Sequence, residues 1–133
     1  MEIITDRDEK TIIITGGYGH LGSALSVNLA NNGAKVIVIG HDEKKGADFI
    51  KRAPKNSNIY YYNADLHNHE DVRAVFNKIY DRFSSIDVLI NNAYYGSSNS
   101  LESMTEKEWN EGIDGTINMA FRTTQSVIEY MKD

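Results

Sequence analysis

The chain has 133 residues, 41% hydrophobic and 25% charged, the proportions of an ordinary globular protein and a length that predicts one domain over 1–133. It contains no cysteine, which excludes disulfides, thiol catalysis and thiolate metal sites, and its net charge of −5 without a basic stripe argues against a nucleic-acid surface. No apolar run approaches the ~20 residues of a membrane span, and residues 1–8 lack the basic and apolar regions of a signal peptide, so a cytoplasmic protein is expected.

The first predicted element is a β-branched strand over 11–15 that runs into Gly16, Gly17, Tyr18, Gly19, His20, Leu21 and Gly22. Gly17, Gly19 and Gly22 fit G-x-G-x-x-G, and the strand before and helix after supply the context of a dinucleotide pyrophosphate site. The first glycine permits the tight turn, the second lets backbone approach phosphate, and the third lets the helix pack closely. The free N–H groups and positive dipole end of that helix then face the anion. Leu21, Leu25 and Leu29 mark one face of the helix, and Asn31, Asn32 and Gly33 stop it.

A second strand is predicted over 35–39, followed by a polar, exposed helix over 42–53 that ends near Pro54. A third strand spans 58–62, with the Tyr60, Tyr61 and Tyr62 rings expected to alternate between buried and exposed. Asn68 is the predicted N-cap of a third helix, with Glu70 and Asp71 in its first turn and Val72, Val75, Phe76, Ile79 and Phe83 at helical spacing. The fourth strand covers 87–90, and a loop rich in Asn, Ser and Tyr covers 91–103. A long helix is predicted from about 105 to 131, with Trp109, Ile113, Ile117, Phe121, Thr124, Val127, Ile128 and Met131 on its buried side. Gly112 and Gly115 weaken it by roughly 1 kcal/mol each relative to Ala, so a break is expected near Gly112. Strands alternating with helices predict an α/β, Rossmann-like doubly wound parallel sheet in the order 3-2-1-4.

The glycine turn, the Asn63-Ala64-Asp65-Leu66 stretch, Asn91-Asn92-Ala93 after the fourth strand and Trp109 ahead of a long helix occur in that order. Together they resemble the short-chain dehydrogenase/reductase family, whose members move hydride between NAD(P) and a carbonyl or alcohol. The resemblance implies that Thr15 and Gly16 to Gly22 form the pyrophosphate turn. It further implies that Asp65 and Leu66 sit beside the adenine, and that Asn91 and Ala93 line the nicotinamide-side ribose. The sequence departs from the family at Tyr94, where Gly is usual and where a Tyr implies a narrower nicotinamide pocket. It departs again at Thr116, which stands at the position of a catalytic-network Asn.

The family's proton transfer rests on a Tyr-x-x-x-Lys pair, the ammonium lowering the phenol pKa. None of the eight tyrosines here is followed by Lys four residues later. The chain is therefore expected to be an incomplete fold, truncated before strand five, with no catalytic residue of its own and inactive by itself. The other reading is a non-catalytic NAD(P)-binding or regulatory module, or an inactive fragment. An uncovered fourth strand is an edge open to pairing, which predicts a homo-oligomer. The family's corresponding helices often form its subunit interface, so Trp109 and Met131 belong either in the core or at a dimer face.

Coenzyme choice has two readings. Asp42 lies about twenty residues after Gly22, the spacing of an acid that holds a ribose 2′-hydroxyl and selects NAD. Against this, Gly40 occupies the strand tip where the NAD-binding acid usually sits, and His41 stands where NADP-preferring relatives carry Arg. His41 with Lys44 and Lys45 favours NADP. His67 and His69 lie among acids, but a helix cap explains the cluster better than a metal does. Ser97, Ser98 and Ser100 are read as loop chemistry without a His–Asp partner.

Overall fold

The two central strands are buried along both faces, because a parallel sheet with helices on both sides leaves its inner strands no wet side. The computed structural model describes residues 10–131; the stretch 1–8, read above for a signal peptide, lies outside them. β1 (Thr11–Thr15), β2 (Lys35–Gly40), β3 (Ile59–Asn63) and β4 (Val88–Ile90) form one parallel sheet in the order β3-β2-β1-β4, as expected. Ile13 pairs in register with Ile37 of β2 and Leu89 of β4.

Side chains alternate across the sheet with period two. Ile12, Ile14, Val36 and Val38 pack on one face beneath α1 (His20–Asn31) and α2 (Glu43–Arg52). Ile13, Ile37 and Ile39 pack on the other with Phe76 and Ile79 of α3 (His69–Phe83) and Val127 of α5 (Met119–Met131). The three tyrosines of β3 do not alternate between core and solvent. Tyr60 and Tyr62 join one core and Tyr61 the other, and all three are half-buried because helices cover both faces.

Local chemistry sets the helix ends. Asp42 caps α2 through Lys45 N–H at 2.9 Å, and Asn68 caps α3 through the N–H groups of Glu70 and Asp71. α4 (Glu106–Ile113) starts on a capping box in which Thr105 and Glu108 satisfy each other's backbone.

The long C-terminal helix differs most from expectation. It does not break at Gly112; it widens into a π-helical turn over Asp114–Asn118 between α4 and α5. A π turn inserts about one extra residue, rotating the downstream helix relative to an unbroken α-helical pattern. Ile117, Phe121, Thr124, Ile128 and Met131 consequently face outward, while Met119, Thr123, Ser126 and Val127 are buried. Trp109, upstream of the turn, is also exposed, so the core is excluded for it and for Met131. In α1 the buried residues are Gly22 and Ser26; Leu25 and Leu29 are half-buried and Leu21 is exposed.

Candidate functional site

The turn after β1 is held from below by one buried hydroxyl. Thr15 Oγ1 accepts the N–H groups of Asn92 and Ala93, each at 3.0 Å, and donates to the Ile90 carbonyl at 3.4 Å. The Asn92 amide returns across the gap to the carbonyls of Thr15 (3.0 Å) and Gly16 (3.2 Å). The β1 and β4 tips are thereby fixed to each other. Gly16 adopts a φ of +64°, and a Cβ there would lie 3.0 Å from Ala93 Cα. At Gly22 a Cβ would lie 2.4 Å from the Gly16 carbonyl oxygen, so the helix can seat this close only on glycine.

α1 then begins at N-cap Gly19 with no side-chain cap, whereas α2, α3 and α4 each have one. The first-turn N–H groups of a helix have no intrahelical acceptor. Here they face a cleft of about 1750 Å³ above the C-terminal ends of the strands. Its floor is the glycine turn. One end is lined by Gly40, His41 and Lys45, the middle by Ala64, Asp65 and Leu66, and the far wall by Asn92 to Gly96 and the α4–α5 helix. The site lies where strand order reverses between β1 and β4, the usual ligand crevice of an open parallel sheet.

Of the residues singled out from sequence, Gly16, Tyr18, Gly19, His20, Leu21, Gly22, His41, Asp65, Leu66 and Ala93 line this cleft. Four do not. Thr15 is the buried hub just described, and Gly17 packs against Val38 and Ser26. The Asp42 carboxylate is turned to α2, where the Lys45 N–H holds its pKa below the usual carboxylate range. Asn91 points to α5, accepting from Thr123 Oγ1 at 2.6 Å and donating to Thr124 Oγ1 at 3.0 Å. Thr116 donates back to the Gly112 carbonyl at 2.6 Å inside the π turn.

Two contributors are not evident from sequence. Asn92 ties the turn to β4, and its only sequence signal is its place inside Asn91-Asn92-Ala93. The second is a polar cluster closing the far wall. Asp114 accepts from Arg122, from His67 Nδ1 at 2.8 Å and from Asn118 at 3.2 Å. The Arg122 guanidinium, then His67, hold its carboxyl well below the usual range. This links the turn after β3 to the π turn across 47 residues of chain, a distance no local motif reports. The imidazole of His67 is thus engaged with a carboxylate, and no cluster of three or more potential metal ligands occurs among the described residues. No helix among the described residues is long and apolar enough to cross a membrane.

The profile of the short chain dehydrogenase family matches residues 10–133. A 3beta-hydroxysteroid dehydrogenase of Mediterraneibacter gnavus is 28% identical over 127 residues, covering 94% of this chain and 46% of the relative. A short chain dehydrogenase from Bacillus anthracis superposes with a TM-score of 0.84 at 28% identity, covering 93% of this chain and 52% of that one. ElxO, solved with NADPH bound, superposes with a TM-score of 0.84 at 25% identity, covering 92% and 50%. The chain spans about half the length of the curated relatives it matches.

Proposed function

The chain belongs to the short-chain dehydrogenase family, and from that premise we propose that it is the coenzyme-binding domain of an NAD(P)-dependent oxidoreductase acting on a small carbonyl or alcohol. The observation that carries this reading is the uncapped N-terminus of α1 opening into the cleft at the β1/β4 reversal. Backbone N–H groups of His20, Leu21 and Gly22 hold the pyrophosphate, aided by the helix dipole, while the Gly19 N–H closes the turn onto the Gly16 carbonyl at 2.9 Å. Leu66 and the Asp65 carboxylate meet the adenine, while Ala93 and Asn92 border the nicotinamide side. The bound nicotinamide supplies or accepts hydride at C4. The residues of this chain orient it and keep water from its face, with Tyr94 and Tyr95 narrowing the cleft mouth.

NADP is the preferred coenzyme in this reading. Asp42 is engaged by its cap and by the Lys45 ammonium 3.7 Å away, and His41 and Lys45 line the ribose end. A 2′-phosphate is an anionic acceptor, so it suits a wall carrying the Lys45 ammonium and the N–H of the His41 ring. The proton partner of the reaction is a Tyr-x-x-x-Lys pair that this chain does not contain. The family resemblance and the outward apolar stripe of α4 and α5 favour a homo-oligomer. Calorimetric titration of the chain with NADPH and NADH tests the reading. Saturable binding of both, tighter for NADPH, is expected; no heat with either overturns it, and equal affinities discard the NADP preference.

A further inference from the structure

The tip of β2 carries no side chain, and the reason is a neighbour, not the backbone. Gly40 is not among the glycines with positive φ, so its conformation suits any residue. Yet a Cβ built there would lie 2.0 Å from Tyr18 Cε1 and 2.7 Å from the Tyr18 hydroxyl oxygen. The Tyr18 ring, delivered by the glycine turn, fills the space that a residue-40 side chain would need. It is fixed in place. Its hydroxyl accepts the Asp42 N–H at 3.3 Å, and its ring meets Tyr61 edge to face at 5.8 Å. Tyr61 in turn reaches the carbonyls of Gly40 and Asp42, each at 3.0 Å, and its own ring lies against Gly46 of α2. Two phenols therefore clamp the turn from β2 to α2.

The hydroxyl of Tyr18 has a consequence beyond packing. It accepts from Asp42, so its hydrogen remains available, and no acceptor takes it among the described residues. Tyr18 lines the same end of the cleft as His41 and Lys45. Asp42, two residues from Gly40, accepts the Lys45 N–H through Oδ1 as a helix cap, and its Oδ2 lies 3.7 Å from the Lys45 ammonium. Donors thus converge where a carboxylate would otherwise project from the strand tip.

We propose that Tyr18 sets coenzyme choice: its ring excludes an acidic side chain from position 40, and its hydroxyl donates to the 2′-phosphate of NADP. This rests on the coenzyme-binding reading above. An acid at the strand end accepts from a ribose 2′-hydroxyl but repels a phosphate, whereas a phenol O–H beside cationic groups attracts an anionic acceptor.

The test combines calorimetry and thermal unfolding on the chain and four variants: Tyr18→Phe, Tyr18→Gly, Gly40→Asp, and Tyr18→Gly with Gly40→Asp. Tyr18→Phe keeps the ring and removes the donor, and is expected to lower the NADPH-to-NADH affinity ratio about tenfold, the scale of one charge-assisted hydrogen bond. Gly40→Asp alone is expected to lower the melting temperature, because the ring has no room to share. In the Tyr18→Gly background the same change is expected to cost little stability and to reverse preference toward NADH. The proposal is overturned if Tyr18→Phe leaves the ratio unchanged, or if Gly40→Asp is tolerated equally with and without Tyr18. Failure of the unmodified chain to bind either coenzyme overturns the function itself. The thermal comparison at position 40 needs no ligand, so the wedge is judged separately.

Discussion

Thr15 Oγ1 serves two backbone donors and one acceptor from a position that is 2% exposed. Thr15→Val keeps the shape and removes the hydroxyl, leaving the Asn92 and Ala93 N–H groups without their partner. An unsatisfied buried donor costs about 1–3 kcal/mol, so the urea midpoint is expected to fall correspondingly; an unchanged midpoint contradicts the hub. Asp114 makes a pH prediction. Its folded pKa is depressed from an ordinary value of 3.8 by Arg122 and His67. Between the unfolded and folded values the unfolded chain binds more protons, so stability rises with pH there. The contribution is complete above about pH 5 and is lost as the pH falls below about 4 toward the folded value. Asp114→Asn is expected to flatten the fall in urea midpoint between about pH 5 and pH 2; an identical slope in both proteins removes the assignment. At this scale the sequence is legible wherever chemistry is local. Asp42 and Asn68 announce their caps by residue type and position. The resemblance points to Asn91, yet Asn92 is the one tied to the turn while Asn91 bonds α5, because adjacent strand-end residues point to opposite sides.

The elements are legible where one period runs unbroken. The four strands and α1 to α3 lie within a residue or two of expectation, since β-branched runs and three-and-four spacing each have one geometric reading. The segment from α4 to α5 fails that test because its period changes at Asp114–Asn118. Gly115 shows why the turn exists. Its N-terminal neighbours bring the helix against the loop after β4, where the Tyr95 N–H donates to the Gly115 carbonyl at 3.0 Å. A Cβ on Gly115 would lie 2.3 Å from the Tyr95 carbonyl oxygen. Helix propensity alone makes Gly115→Ala stabilising by about 1 kcal/mol, while overpacking against backbone costs about 1–3 kcal/mol. The clash is expected to win, so the melting temperature should drop. A rise would mean that the close approach of loop and helix does not govern this segment.

For the whole molecule, two surfaces call for cover. β4 lies at an edge of the sheet with Val88 at 38% exposure, and Trp109, Ile117, Phe121 and Ile128 face outward from α4 and α5. Sedimentation at micromolar concentration is expected to show an oligomer, and Phe121→Glu with Ile117→Glu to shift it toward monomer. A folded monomer for the unmodified chain contradicts self-association. None of these exposed apolar side chains lines the cleft, whose floor is the strand ends and the first turn of α1 and whose far wall is the opposite side of α4 and α5. Backbone amide chemical shifts, followed as NADPH is added to the chain, test the pyrophosphate assignment most directly. Large perturbations are expected at the His20–Gly22 amides and the facing Asn92 and Ala93 amides, with further shifts at His41, Lys45, Asp65 and Leu66 along the cleft. Amides of the glycine turn that stay unmoved at saturating coenzyme would contradict it.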